Sequence, residues 1–231
     1  MFAILLLIVG LIQPVNGEMT NGCFYADKNV EVHLIAQNGI TQTNELIAGR
    51  TYPVSDLLME LAVSNATTFY FSDGTVIGAS AMSVFSINVF DVEIKNLDAD
   101  PEWVSVGSEN FSLTFDQGQF VIIYRNKKAY SSFSAMSPVQ EYQFQAGKYL
   151  MKVDDKSSSV FVADGEVKTG KNIKSSKGTI ANTIPKGTKI ETTVIESSDT
   201  DNLVSSILAF DQKTNAVKFA VINGKVIGIK Q

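Results

Sequence analysis

The sequence predicts an all-β fold, a sandwich or a solenoid-like stack of short antiparallel strands and hairpins with at most one short helix. Two observations carry this. A hexapeptide of the form apolar, any, Asp or Asn, Gly, any, Val occurs three times, as FSDGTV at Phe71 to Val76, VADGEV at Val162 to Val167 and VINGKV at Val221 to Val226. Between these marks, apolar and polar residues alternate, and turn signals return roughly every 8 to 12 residues. Asp-Gly and Asn-Gly favour type I′ turns, in which both central residues take positive φ. Asp73-Gly74, Asp164-Gly165 and Asn223-Gly224 are therefore expected to close two-residue hairpins, with Asn38-Gly39 a fourth.

In chain order, EVHLIAQ alternates as a strand around His33. Residues 54 to 63, VSDLLMELAV, offer a helical period, with Leu57, Leu58 and Leu61 on one face and Ser55 as a cap, although a bent strand fits as well. In FSLTFDQGQFVIIY, Phe111, Leu113 and Phe115 alternate with polar residues, and Phe120, Ile122 and Tyr124 resume the period, so Asp116 to Gly118 is expected to turn a hairpin. In YQFQAGKYLMKV, Tyr142 and Phe144 precede Gly147, while Tyr149, Met151 and Val153 follow, which predicts one more short pair. No stretch leaves room for a strand, helix and parallel strand unit. The polar segment KNIKSSKG, Lys171 to Gly178, is the expected boundary between a main β-domain, residues 18–173, and a small C-terminal β-appendage, residues 174–231. Aromatic content divides the same way, with 19 of the 22 rings between residues 24 and 161.

With 231 residues, 45% of them apolar, the chain is able to bury a substantial core. It carries 24 acidic against 19 basic residues, a net charge of −5, and its two arginines, Arg50 and Arg125, are far apart in sequence. Such a surface repels phosphate backbones, so nucleic acid is not an expected partner. The N-terminal MFAILLLIVGLIQPVNG resembles a secretory signal peptide, residues 1–17, cleaved after Gly17. Its apolar run spans roughly 16 Å as a helix, against about 30 Å of bilayer hydrocarbon, so no transmembrane segment is expected and the localisation is periplasmic or secreted.

Candidate chemistry is sparse. His33 is the only histidine, which removes every two-histidine metal pattern, and a surface or core-edge role on its strand is expected for it. Cys23 is the only cysteine, so an intrachain disulfide is excluded, and no protease signature surrounds it. Gly165 to Asn172 approaches a phosphate-cradling loop but has Asn172 where a magnesium-binding hydroxyl is needed and no helix to follow. Acidic residues cluster at Asp98, Asp100 and Glu102 and at Asp199 and Asp201 without calcium-loop spacing. Asn65 and Asn110 begin glycosylation triplets, and Trp103, the one tryptophan, is expected to be a half-buried packing residue rather than a sugar-stacking one. No catalytic residue, metal ligand or cofactor is expected.

The runs LIAGRTYPVSDLLMELAVSNATTFYFSDGTVIGASAMSVFSI and FSLTF to VKTG resemble the FecR-like extracytoplasmic domain family over about residues 39 to 170. The first run holds Asn65 and the Asp73-Gly74 turn; the second holds Gly118, the stretch Phe133 to Pro138, Gly147, and Val162 to Val167 with Asp164 and Gly165. The resemblance implies that these positions are framework turns. It further implies an exported interaction domain, since members with known roles receive a signal in the periplasm and pass it to a cytoplasmic sigma-factor regulator. The expected function is thus a non-enzymatic module of the cell envelope binding an envelope protein or surface polymer. A structural surface or matrix protein and a carbohydrate-active enzyme on a β-scaffold are the alternatives.

Overall fold

The computed structural model describes residues 18–54, 57–94, 107–125, 132–170, 173–186, 189–196, 199–214, 217–222 and 225–230. The first half of the chain makes β1 (Glu18–Asn21), β2 (Cys23–Ala26), β3 (Val30–Ile35), β4 (Thr41–Leu46), β5 (Thr51–Pro53), β6 (Leu58–Val63), β7 (Thr67–Phe71), β8 (Val76–Ala79) and β9 (Ser83–Ile94). The second makes β10 (Gly107–Tyr124), β11 (Ser132–Met136), β12 (Glu141–Phe144), β13 (Gly147–Val153), β14 (Ser158–Asp164), β15 (Glu166–Thr169), β16 (Lys174–Ser176), β17 (Thr179–Lys186) and β18 (Lys189–Glu196). One helix, α1 (Thr200–Thr214), and a hairpin of β19 (Val217–Ile222) and β20 (Lys225–Lys230) complete it.

Strand pairing resolves these into two sheets packed face to face. The first runs β4-β3-β6-β9-β10-β11-β12-β15-β16, with β1 beside β6 along the far end of β9. The second runs β5-β2-β7-β8-β10-β13-β14-β17-β18. Pairing is antiparallel except between β10 and β11, so this is a sandwich.

The two sheets share β10. Its first part pairs with β9 as far as Gln117, and from Gly118 onward it pairs with β13 in the other sheet. Gly118 makes the corner at φ +119, and a Cβ there would stand 2.9 Å from the Ser83 backbone, so glycine is required twice over. The corner also explains a change of phase: Phe111, Leu113 and Phe115 are buried before it, and Phe120, Ile122 and Tyr124 after it. The expected hairpin at Asp116 to Gly118 is corrected to one strand of 18 residues that changes sheets. Both halves do alternate, because each faces the same interior from opposite sides.

The glycine-marked turns divide into two kinds. At Asp73-Gly74, the Gly74 N–H donates to Phe71 O (2.9 Å) and the Phe71 N–H to Thr75 O (2.9 Å), a three-residue loop in which Gly74 alone takes positive φ, +87. Asp73 instead accepts from the Thr75 N–H and hydroxyl, each at 2.9 Å. The expected type I′ turn is thus corrected to a turn with a glycine bulge. Asn38-Gly39 repeats the arrangement, with Gly39 at φ +80 and Asn38 Oδ1 accepting from the Ile40 N–H at 3.1 Å. Asn223-Gly224 lies outside the described residues, though β19 and β20 on either side of it pair.

Asp164-Gly165 is different, and the expected hairpin there is corrected: β14 belongs to one sheet and β15 to the other. The pair expected around Gly147 is corrected likewise, since β12 and β13 lie in different sheets. The two crossings touch. A Cβ on Gly147 would stand 2.3 Å from Asp164 O, and one on Gly165 2.6 Å from Ala146 O. The Tyr149 hydroxyl pins them, lying 2.7 Å from Gln145 O and 2.9 Å from Glu166 O and accepting from the Glu166 N–H at 3.2 Å. Burial pushes its pKa up, which keeps it a neutral hydroxyl.

Leu58 to Val63 is strand β6, with Met59, Leu61 and Val63 buried, so the helical option is excluded there; Ser55 lies outside the described residues. The helix comes later, at Thr200–Thr214, where Leu203, Ile207 and Phe210 recur at helical spacing. They cover a patch on the outer face of the second sheet formed by Cys23, Tyr25, Tyr70, Val76, Ile123, Leu150, Phe161 and Ala163. Gly78 makes room for Phe210, whose ring a Cβ would meet at 2.7 Å. Asp211 fixes the helix by ion pairs to Arg125 (2.6 Å) and Lys148 (2.9 Å). Within the Lys171 to Gly178 stretch β16 pairs with β15, and beyond it β17 pairs with β14.

Candidate interaction edge

A strand with a single neighbour in its sheet is an edge strand, a place where a sheet can be extended by another chain. Among the described residues, the two large sheets have five such strands: β1, β4, β16, β5 and β18. β1 and β4 offer 4 and 6 residues, and β4 exposes five polar side chains, Thr41 to Glu45. β16 and β5 have 3 residues each, and Pro53 removes a donor from β5. β18 is unlike them. Its sequence KIETTVIE runs for 8 residues with no proline, and it exposes Ile190 (41%), Val194 (39%) and Ile195 (46%).

Register explains why apolar residues stand out on this edge. Thr183 lies opposite Thr192 and Ala181 opposite Val194. Ala181 and Thr183 are fully buried, so Ile190, Thr192 and Val194 lie on the face that looks into the sandwich. Beneath them the interior turns from aromatic to hydroxylic. Thr192 donates to Gln140 Oε1 at 3.2 Å and lies 2.9 Å from Thr183 Oγ1; Tyr142 Oη is 2.6 Å from Ser158 Oγ, which is 3.0 Å from Ser137 Oγ. Gln140 thereby joins the β11–β12 loop to the edge strand, and in that loop Pro138 sits exposed while Ser137 Oγ accepts from the Gln140 N–H at 3.0 Å. This end is held by hydrogen bonds, and the rim residues Ile190 and Val194 stay half in solvent.

The remaining expected residues serve the framework or lie elsewhere. Cys23 is buried, and burial pushes its thiol up to about 12, so it is no nucleophile near neutrality. His33 sits on the outer face of the first sheet between Glu31 (2.7 Å) and Glu60 (3.1 Å). Asn65 is exposed, and the Thr67 hydroxyl of its triplet donates to Asn65 O at 2.6 Å. Asp199 and Asp201 flank the start of α1, where acidic side chains suit the helix dipole. Asp98, Asp100, Glu102, Trp103, Lys171 and Asn172 lie outside the described residues. Gly165 leads into strand β15, so the loop-then-helix geometry of a phosphate site is missing there.

A second group of charges lies at Asp211. Burial alone would raise its carboxyl, but hydrogen bonds from Lys148 and Arg125 outweigh this and hold it below the usual range. Arg125 also donates to Gly74 O at 3.0 Å. A hollow of about 350 Å³ beside this trio is lined by Arg125, Lys148, Asp211 and a second carboxylate, Asp164, together with Ile123, Tyr124, Ala146 and Gly147. Among the described residues no group of three or more His, Cys, Asp or Glu side chains is placed to hold a metal ion, and no helix is long and apolar enough to cross a membrane.

His33 supplies a direct electrostatic test. The hydrogen bond to Glu31 raises its pKa above the ordinary 6.5, burial opposes this in part, and Glu60 adds to the rise. A raised folded-state value means that the ion-pair stabilisation is complete below about 6.5 and is lost as pH climbs through the folded pKa. As the only imidazole, His33 is expected to give one NMR titration with a midpoint above 6.5, and Glu31→Gln to bring that midpoint down. A wild-type midpoint at or below 6.5 would contradict the pairing.

Neither a scan of protein-family models nor a search of curated proteins finds a match to this chain. Among solved structures it is similar to one described as a "putative anti-sigma factor" from Parabacteroides distasonis, at 10% identity and TM-score 0.44, covering 76% of this chain and all of that one. A second structure with the same description and organism matches at 9% identity and TM-score 0.43, covering 74% of this chain and 99% of the other.

Proposed function

We propose that the protein is an exported, non-enzymatic, FecR-like interaction module of the bacterial cell envelope, which engages an envelope protein or surface polymer in a signalling role. The observation that carries this is β18, an 8-residue edge strand with apolar side chains exposed on both faces and without the proline or shortness that guards other edges. Such a strand accepts an extended segment of a partner by backbone pairing, and Val194 and Ile195 give that pairing side-chain contacts. Support for export is the signal-like N-terminal sequence. Support for a binding rather than a chemical role is an interior filled by packed aromatic rings, with Cys23 buried and His33 engaged by two carboxylates.

The test is affinity capture from an envelope extract with purified protein, comparing wild type, Val194→Lys on β18 and Ile184→Lys on β17. Ile184 is 55% exposed but lies one strand in from the edge, so its variant controls for lost surface hydrophobicity. The same partner is expected with wild type and Ile184→Lys, and at least about tenfold less with Val194→Lys, the effect of roughly 1.4 kcal/mol. Equal capture by all three, or turnover of a glycan or peptide by the pure protein, would remove the proposal.

A further inference from the structure

We infer that β4 is a second interaction edge, on the first sheet, and that it takes an extended, antiparallel segment of another protein carrying a Lys or Arg four residues before an aliphatic side chain. The inference goes beyond the β18 reading and does not depend on it. The backbone of β4 is open on one side. In the turn before it, the Ala36 N–H donates to Ile40 O at 2.9 Å and the Gly39 N–H to Ala36 O at 2.8 Å. With Leu34 opposite Gln42 and Val32 opposite Asn44, this fixes the alternation: Gln42, Asn44 and Leu46 turn their backbone groups to β3, and Thr41, Thr43 and Glu45 turn theirs outward. Among the described residues nothing pairs with the outward backbone groups of these three, and the next outward N–H, that of Ile47, is taken by the Tyr52 hydroxyl at 2.7 Å. No proline or bulge interrupts the stretch.

The side chains say what kind of segment fits. On the outer face Glu45 lies directly opposite Glu31, and His33, opposite Thr43, bonds Glu31 (2.7 Å) and Glu60 (3.1 Å). Like charges facing each other across a strand pair oppose the pairing. The imidazole serves Glu31 and Glu60, and Glu45 is left with the Asn29 amide at 3.0 Å. Among the described residues no lysine or arginine pairs with any of the three carboxylates. A cation opposite Glu45 on an added strand offsets that repulsion. Four residues away the face turns apolar: Thr41 lies opposite Ile35, and Ile35 opposite Leu58, which is 38% exposed. In antiparallel pairing the basic residue therefore comes first and the aliphatic one four positions later. β4 itself, TQTNEL, has no basic residue, so a second copy of its edge does not supply the cation.

The test uses the purified full chain and the end-capped peptide Thr-Lys-Val-Thr-Val-Ile-Thr, followed by amide NMR. In the free protein the Thr43 and Glu45 amides are expected to exchange with solvent far faster than those of Gln42 and Asn44. The peptide, added to about 2 mM, where weak pairs form, is expected to shift the Thr41, Thr43 and Glu45 amides and to slow their exchange. Glu45→Lys is expected to weaken this binding at least about fivefold and to bind instead a peptide with Glu in place of Lys, a reversal that a misfolded variant would not show. Thr43→Pro, which removes one outward donor and no bond to β3, is expected to abolish binding with circular dichroism unchanged. Val194→Lys is expected to bind the peptide like wild type, which separates this edge from β18. Any one of four results overturns the inference: slow exchange at Thr43 and Glu45 in the free protein, a peptide that leaves β4 unshifted, equal binding by wild type and Glu45→Lys, or loss of peptide binding in Val194→Lys.

Discussion

Gly165→Ala is expected to lower the free energy of unfolding by about 3 kcal/mol, and Gly74→Ala by only about 1 kcal/mol, although both glycines occupy the same place in the same hexapeptide and both take φ +87. The backbone cost is common to the two, about 1 kcal/mol for an L-residue in the left-handed region. Space separates them. A Cβ at position 74 meets nothing within 4 Å, whereas at 165 it falls 2.5 Å from the Tyr149 hydroxyl and 2.6 Å from Ala146 O. The tyrosine has no room to yield without giving up its bonds to Gln145 O and Glu166, and the opposing backbone is the other crossing strand. Urea denaturation of the two variants measures the difference, and equal losses would show that the crossings are not packed against each other.

Phe111→Ala is expected to be the most damaging single truncation in the interior, costing about 4 kcal/mol. Its ring is fully buried and has neighbours on three sides, Phe90 with centroids at 4.5 Å, Phe71 at 4.9 Å and Phe133 at 4.9 Å. These belong to β9, β7 and β11, so the cavity would open between both sheets and could not be closed by one strand moving in. Phe210→Ala, between α1 and the outer face of the second sheet, is expected to cost about 1 kcal/mol, because Phe210 is only partly buried. Thermal and chemical unfolding of both variants check the ranking, and a Phe111→Ala loss below about 2 kcal/mol would contradict a close-packed centre.

Much of the strand content was legible in the sequence because a two-residue period is a local property. Phe111 to Phe115 and Phe120 to Tyr124 are buried as their alternation predicts, and Gly39, Gly74, Gly118 and Gly165 all take positive φ. What a glycine cannot encode locally is where the chain goes next. Asp73-Gly74 returns the strand to its neighbour while Asp164-Gly165 sends it across the sandwich, and the difference lies in Tyr149, Ala146 and Gly147, which become neighbours only through folding.

Helix α1 carried a readable signal, Asp199 and Thr200 before Leu203, Ile207 and Phe210, that a search for hairpins passes over. The candidate edge was less accessible still. KIETTVIE reads as any strand, and its exposure follows from being the last member of a nine-strand row, a fact about neighbours and not about residues.

β10 belongs to both layers, and this bears on how the molecule comes apart. Loosening either layer strips hydrogen bonds from a segment that the other layer also holds, so neither has a separate melting step. Heat or denaturant is therefore expected to open both layers in one cooperative transition, which coincident far-UV circular dichroism and tyrosine-fluorescence curves would show.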